Sequence, residues 1–185
     1  MMGTEWKIDS EGKLSAADFL ESPNHDNRPA NIDVELLVIH CISLPIGKYG
    51  NGYIDKLFMN ELDELGDLQF SQIIDLRVSA HFLINREGNI TQYVSCLNRA
   101  WHAGKSRWRN RHDCNDFSIG IELEGTDTTR FTEKQYFNLA KLTKVLKRKF
   151  AIREIVSHSE IALPIGRKSD PGDLFEWDKY KKLIE

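Results

Sequence analysis

Leu36-Leu37-Val38-Ile39-His40 is an unbroken apolar run of mostly β-forming residues that closes on a histidine. A run this short and without alternation suits a strand covered on both faces, and such strands lie at the centre of a sheet. A second strand is predicted over 117–124. There Phe117, Ile119, Ile121 and Leu123 share one face, and Ser118, Gly120, Glu122 and Glu124 share the other. Two alternating runs, 79–84 and 89–94, flank Asn85-Arg86-Glu87-Gly88 and predict a hairpin. Residues 155–158 read as another strand.

Helical signals alternate with these strands. Thr132-Glu133-Lys134-Gln135 is a capping box that opens a helix with the apolar stripe Tyr136, Leu139, Ala140, Val145, Leu146 and Phe150. A broken helical pattern covers 54–76, with Gly66 as an interruption, and a last helix runs through Trp177, Tyr180 and Leu183. The fold class expected is α+β, a single domain over 34–185 with a central mixed β-sheet flanked by helices. Residues 1–33, punctuated by Pro23, Asn24, Asn27 and Pro29, are expected to lie over the surface as an N-terminal arm.

Composition narrows the function classes. With 25 basic and 28 acidic side chains the net charge is −3, which argues against a general nucleic-acid binder. No apolar stretch approaches the roughly 20 residues that cross a bilayer. Glu5, Lys7, Asp9, Glu11, Lys13 and Asp18 interrupt the place where an export signal needs an apolar block. Cys41, Cys96 and Cys114 are an odd count without paired spacing, which suits a reducing compartment. A cytoplasmic protein without membrane or nucleic-acid partners is expected, taken as a monomer.

His40 and His158 each end a predicted strand, where side chains can line a cleft. Each reads equally as a core histidine satisfied by a backbone carbonyl. Asp170, held between Ser169 and Pro171-Gly172, is either an aimed carboxylate or an ordinary turn. Glu122 is the sharper anomaly, an acid in an apolar strand with Gly120 leaving room on the same face; Glu124 beside it favours a plain solvent-facing alternation. His81 reads as structural. Trp101 in Trp101-His102-Ala103-Gly104 is a platform for a sugar ring or a core tryptophan. Lys105, Arg107, Arg109 and Arg111 make a basic loop suited to an acidic ligand or simply to solvent. No compact metal motif, phosphate loop or nucleophile elbow occurs.

Taken together, five strings resemble one family: Leu37-Val38-Ile39-His40-Cys41-Ile42-Ser43-Leu44-Pro45, Leu76-Arg77-Val78-Ser79-Ala80-His81, Arg99-Ala100-Trp101-His102-Ala103-Gly104, the stretch from Cys114 through Asp127, and Arg167-Lys168-Ser169-Asp170-Pro171-Gly172. They are similar to the zinc amidases of muramoyl-L-alanine bonds, a family that includes cytoplasmic anhydro-muropeptide amidases, phage amidases and peptidoglycan recognition proteins. The likeness covers roughly residues 34–178. It implies one Zn2+ per chain, held by His40, His158 and Asp170 in a cleft at the strand ends. It further implies Glu122 as general base, Lys168 as electrophile, and Arg77, Trp101, Ala103 and Gly104 on the substrate. Cys41 stands where relatives usually carry Asn, and it should point away from the metal. The activity implied is hydrolysis of the amide between the lactyl group of (1,6-anhydro)-N-acetylmuramic acid and L-alanine, in peptidoglycan recycling. An amidase of intact peptidoglycan and a non-catalytic muropeptide-binding module are the alternatives.

Overall fold

The computed structural model describes residues 5–63 and 66–185. Among them, six strands form the central sheet: β1 (Asp18–Phe19), β3 (Leu36–Ile42), β4 (Phe82–Ile84), β5 (Ile90–Gln92), β9 (Ser118–Glu124) and β10 (Glu154–Ser157). Their order is β1-β5-β4-β9-β3-β10, with β4 and β5 antiparallel and every other neighbouring pair parallel. Two small ribbons stand apart, β2 (His25–Asn27) with β6 (Asn98–Ala100) and β7 (Arg107–Trp108) with β8 (Arg111–His112). The helices are α1 (Tyr53–Phe58), α2 (Glu133–Lys149), α3 (His158–Ile161) and α4 (Trp177–Ile184).

Side-chain alternation divides the sheet into two faces. Leu37 and Ile39 of β3, Ile119, Ile121 and Leu123 of β9, and Phe82 and Ile84 of β4 enter one cluster with Tyr136, Leu139 and Leu146 of α2 and Tyr180 of α4. Helix α2 begins with the expected capping box, Thr132 Oγ1 accepting from the Gln135 amide and the Gln135 side chain from that of Thr132. Such caps are worth about 1 kcal/mol each. On the opposite face, Leu36 and Val38 pack with Ala103, Phe117, Val156 and Ile161.

Several expectations change. Glu122 and Glu124 do not face solvent, because the parallel centre of the sheet is buried on both sides. Glu124 is fixed by the Gly50 amide at 2.6 Å and the Arg86 amide at 3.0 Å, so it ties the loop after β3 to the β4–β5 turn. The helical pattern over 54–76 resolves into α1 and the short 3-10 turn Phe70–Gln72, with residues 64 and 65 outside the described residues. His158 does not end a strand; it is the first residue of α3, which Ser157 and Glu160 start with a second capping box.

The N-terminal segment, expected as a surface arm, is also built into the fold. Ile8 and Leu14 are buried in the α2-side cluster, and β1 and β2 pair with β5 and β6. Arg28 closes this segment onto the domain. Its guanidinium donates to the carbonyls of Asn115 (3.0 Å), Asp116 (3.0 Å) and Ser118 (2.8 Å). Charge-assisted bonds to buried backbone oxygens are costly to lose. Arg28→Ala is therefore expected to destabilise the fold by about 3 kcal/mol, read as a lower urea midpoint. Arg28→Lys should recover little, since one ammonium cannot span three carbonyls; an unchanged midpoint in Arg28→Ala would remove this clamp from the account.

Candidate metal centre

Parallel pairing sets His40 of β3 in register with Glu122 of β9, and Leu83 of β4 lies on the other side of Glu122. Neighbouring strands run about 4.8 Å apart, so the imidazole and the carboxylate stand side by side near the carboxyl ends of the strands. Open sheets with parallel strands bind their ligands at that end. The third element is α3, directly after β10, with the loop that follows it. Its Ser159 amide donates to the Asp170 carbonyl at 3.1 Å. Gly172, at φ +87°, lies so close to the Asp127 carbonyl that a Cβ there would stand 2.1 Å from its oxygen. Arg167 sews the loop down by donating to the carbonyls of Ala103 (3.1 Å) and Lys105 (3.0 Å).

These constraints bring His40, His158 and Asp170 together. One ligand atom from each lies within 4.8 Å of the others. Both Nδ1 atoms approach the same carboxylate oxygen, Asp170 Oδ2, at 3.2 Å from His40 and 3.0 Å from His158. Both histidines are buried, and their rings meet edge to face with centroids 4.5 Å apart. The far nitrogen of each is also engaged, Nε2 of His40 with His102 Nδ1 at 2.9 Å and Nε2 of His158 with the Ala103 carbonyl at 3.2 Å.

Burial sets the electrostatics. Loss of water, with His158 next to it, lowers His40 to about 4, so its imidazole is neutral near pH 7. Burial alone would raise Asp170, but the two imidazoles beside it, His158 and His40, outweigh it and hold the carboxyl below the usual range. Glu122 goes the other way. Burial and the Asp170 charge push it well above 4.5, against the pull of Lys168. Its Oε2 is buried with no hydrogen-bond partner, an expensive state for a carboxylate oxygen that faces no ligand. Two imidazole nitrogens and one carboxylate oxygen, beside an orphaned acid, suit a divalent ion of the zinc type with coordination left open.

A cavity of about 210 Å³ opens over these groups; His40, Glu122, His158, Lys168 and Asp170 line it, with Leu57, Phe58 and Val78 as its apolar wall. Cys41 packs into the α2-side cluster across the strand from His40, yet its edge reaches this cavity and a neighbouring groove of about 370 Å³. Burial raises its thiol beyond the usual range, which makes it a poor thiolate ligand.

The other expected positions scatter. Arg77 is exposed between the cavity-lining Leu76 and Val78, its guanidinium on the Ile74 carbonyl at 3.1 Å. Trp101 is half-buried; its carbonyl accepts from the amide of Ser79, another lining residue, at 3.2 Å, and its own amide donates to Ser79 Oγ at 3.1 Å. Ala103 is fully buried beneath the site and meets it through its carbonyl, while Gly104 is exposed beside Arg167. The basic loop turns to the opposite end of the sheet. Arg109 pairs with Glu154 and Arg111 with Glu35, around a separate cavity of about 330 Å³. The space above Gly120 is also filled, by the His102 ring, since a Cβ at Gly120 would stand 2.4 Å from His102 Cγ. His102 is the site residue that sequence reasoning left without a role, and no local signal marks it; its partner His40 is 62 positions away.

Among the described residues no helix is long and apolar enough to cross a membrane. The family model described as N-acetylmuramoyl-L-alanine amidase matches residues 30–173. The 1,6-anhydro-N-acetylmuramyl-L-alanine amidase AmpD of Haemophilus influenzae is 47% identical over 178 residues, spanning 95% of this chain and 96% of that protein. The crystal structure of a selenomethionine derivative of AmpD superposes with a TM-score of 0.92 at 47% identity, over 95% of this chain and 98% of the other. The amidase AmiD of Escherichia coli, solved with anhydro-N-acetylmuramic acid-L-Ala-D-γ-Glu-L-Lys, aligns at a TM-score of 0.58 and 26% identity, over 97% of this chain and 65% of that one.

Proposed function

The chain belongs to the N-acetylmuramoyl-L-alanine amidase family, and from that premise we propose that it is a zinc enzyme of cytoplasmic peptidoglycan recycling. Its substrate is a soluble 1,6-anhydro-N-acetylmuramoyl peptide, cut at the amide between the lactyl group and L-alanine. The observation that carries this reading is the meeting of His40, His158 and Asp170 within 4.8 Å beside the partnerless oxygen of Glu122.

His40, His158 and Asp170 hold the ion. Zinc, when bound there, polarises a carbonyl and lowers the pKa of water. Glu122 acts on protons. Its raised affinity fits a base that takes one from the attacking water as the new C–O bond forms, then returns it to the alanine nitrogen as the C–N bond breaks. Without that return the amine is a poor leaving group. The Lys168 ammonium, on the cavity wall, faces the oxyanion that develops on the carbonyl oxygen. The groove beyond Cys41 and Lys168 extends the cavity for the remainder of a substrate larger than 210 Å³ can hold. Trp101 and Gly104 belong to the sugar side and Arg77 to a carboxylate of the stem peptide.

Mass spectrometry of products from two substrates tests the reading. The zinc-loaded protein should release free stem peptide quickly from an anhydro-muramoyl peptide and slowly or not at all from intact peptidoglycan, and a chelator should stop both. Comparable release from the sacculus would make it a wall-lytic amidase. No release from either substrate would leave a binding module.

A further inference from the structure

His102 touches His40 on the side away from Asp170, and the bonds beyond it run in one line. His40 Nε2 lies 2.9 Å from His102 Nδ1, His102 Nε2 lies 3.0 Å from Ser118 Oγ, and Ser118 Oγ lies 2.6 Å from the Cys114 carbonyl oxygen. All three side chains are held in place. Ser118 is a buried residue of β9, His102 lies flat against Gly120, and the amides of His102 and Ala103 both donate to Asn115 Oδ1, at 3.2 and 2.8 Å.

The far end fixes the direction of the line. A carbonyl oxygen only accepts, so the single hydroxyl proton of Ser118 goes to Cys114. Ser118 then meets His102 as an acceptor, which places the His102 proton on Nε2. A neutral imidazole with Nε2 protonated presents a lone pair at Nδ1. His40 must therefore donate from Nε2, and its own Nδ1 is left bare, 3.2 Å from Asp170 Oδ2. A lone pair facing a carboxylate oxygen is repulsive unless a cation stands between them. His158 follows the same polarity, since its Nε2 faces the Ala103 carbonyl, another pure acceptor.

We infer that His102, anchored through Ser118 to the Cys114 carbonyl, is a positioning residue that fixes His40 in the Nε2–H tautomer and so prepares Nδ1 as a metal ligand. This rests on the reading of His40, His158 and Asp170 as the zinc site. Partners of this kind orient a ligating histidine, and their loss costs about 10–100-fold in metal affinity.

The test uses the full chain as wild type, His102→Leu, His102→Asn and Ser118→Ala. Zinc affinity is measured by competition with a chromophoric chelator, and the tautomer of His40 is read by 15N NMR in the metal-free wild type. His102→Leu should bind zinc about 10–100-fold more weakly. His102→Asn, whose Oδ1 stands near the old Nδ1 and still accepts, should recover most of that loss. Ser118→Ala should shift affinity in the same direction by less, and His40 should appear as the Nε2–H tautomer. A folded His102→Leu with unchanged affinity overturns the inference, as does His102→Asn binding no better than His102→Leu, because packing alone would then explain the loss. A His40 protonated on Nδ1 overturns it as well. If His102→Leu does not fold, Ser118→Ala decides, and unchanged affinity there is again fatal. A wild type that takes up no zinc instead overturns the metal reading and this inference with it.

Discussion

Glu122→Gln is expected to lower kcat by about 10²–10⁴-fold, the usual worth of a positioned acid–base group, with zinc still bound one per chain. Metal analysis of the purified variant separates this from loss of the ion. The same substitution carries a stability signature. Burial and the Asp170 charge raise the folded value of Glu122 above the 4.5 of a free carboxyl. Below that value the carboxyl is protonated in both states and carries no penalty. As pH rises past it, the unfolded chain ionises while the folded one resists, so the wild type loses stability until the folded value is reached. Glutamine cannot ionise. Unfolding of the metal-free proteins should therefore show the variant gaining on the wild type as pH rises from about 4.5, at the expense of turnover. Near-normal turnover would remove Glu122 from proton transfer, and a stability difference independent of pH would remove its strained burial.

How far the sequence disclosed this arrangement can be followed residue by residue. The strand that carries His40, which runs on to Ile42 rather than ending at the histidine, the β4–β5 hairpin and the capping box of α2 were legible because each is written in neighbouring residues. The meeting of His40, His158 and Asp170 was not. It depends on pairing across 130 positions, and only a resemblance between whole motifs could suggest it. Glu122 was ambiguous for a different reason. Alternation reports that a strand has two faces but not what covers each, and here the segment around His102 and Ala103 covers the second. The N-terminal segment departs from the surface arm that its prolines and asparagines predict because its anchors are long-range: Ile8 and Leu14 enter the core, β1 and β2 pair with β5 and β6, and Arg28 reaches the carbonyls of Asn115 and Ser118. The start of α3 is also written locally, since Ser157-His158-Ser159-Glu160 has the spacing of a cap.

Asp170→Ala is expected to lower zinc affinity by more than about 100-fold, beyond the range assigned to outer partners of a ligand, and to take turnover with it. Asp170 is the one anionic member of the set, and both imidazole Nδ1 atoms close on its Oδ2, so it supplies the charge that draws a divalent ion to the site. Asp170→Asn keeps the shape and removes the charge, so a similar loss there assigns the effect to charge. Acid reaches the same site through His40. A ligating imidazole must be neutral, and burial first, then His158, lowers His40 to about 4 rather than the free value of 6.5. Between those values an unfolded chain takes up a proton that the folded one refuses. At this residue the metal-free fold thus loses up to about 1.4 kcal/mol per pH unit as pH falls, and none above pH 6.5. Protons at His40 therefore compete for the site chiefly by way of unfolding. Zinc content and far-UV circular dichroism, followed together by dialysis from pH 7 down to 4, should decline in step. Zinc leaving near pH 6.5 from a chain that stays folded would mean that burial does not lower His40, and the buried site derived from β3 and α3 would have to be abandoned.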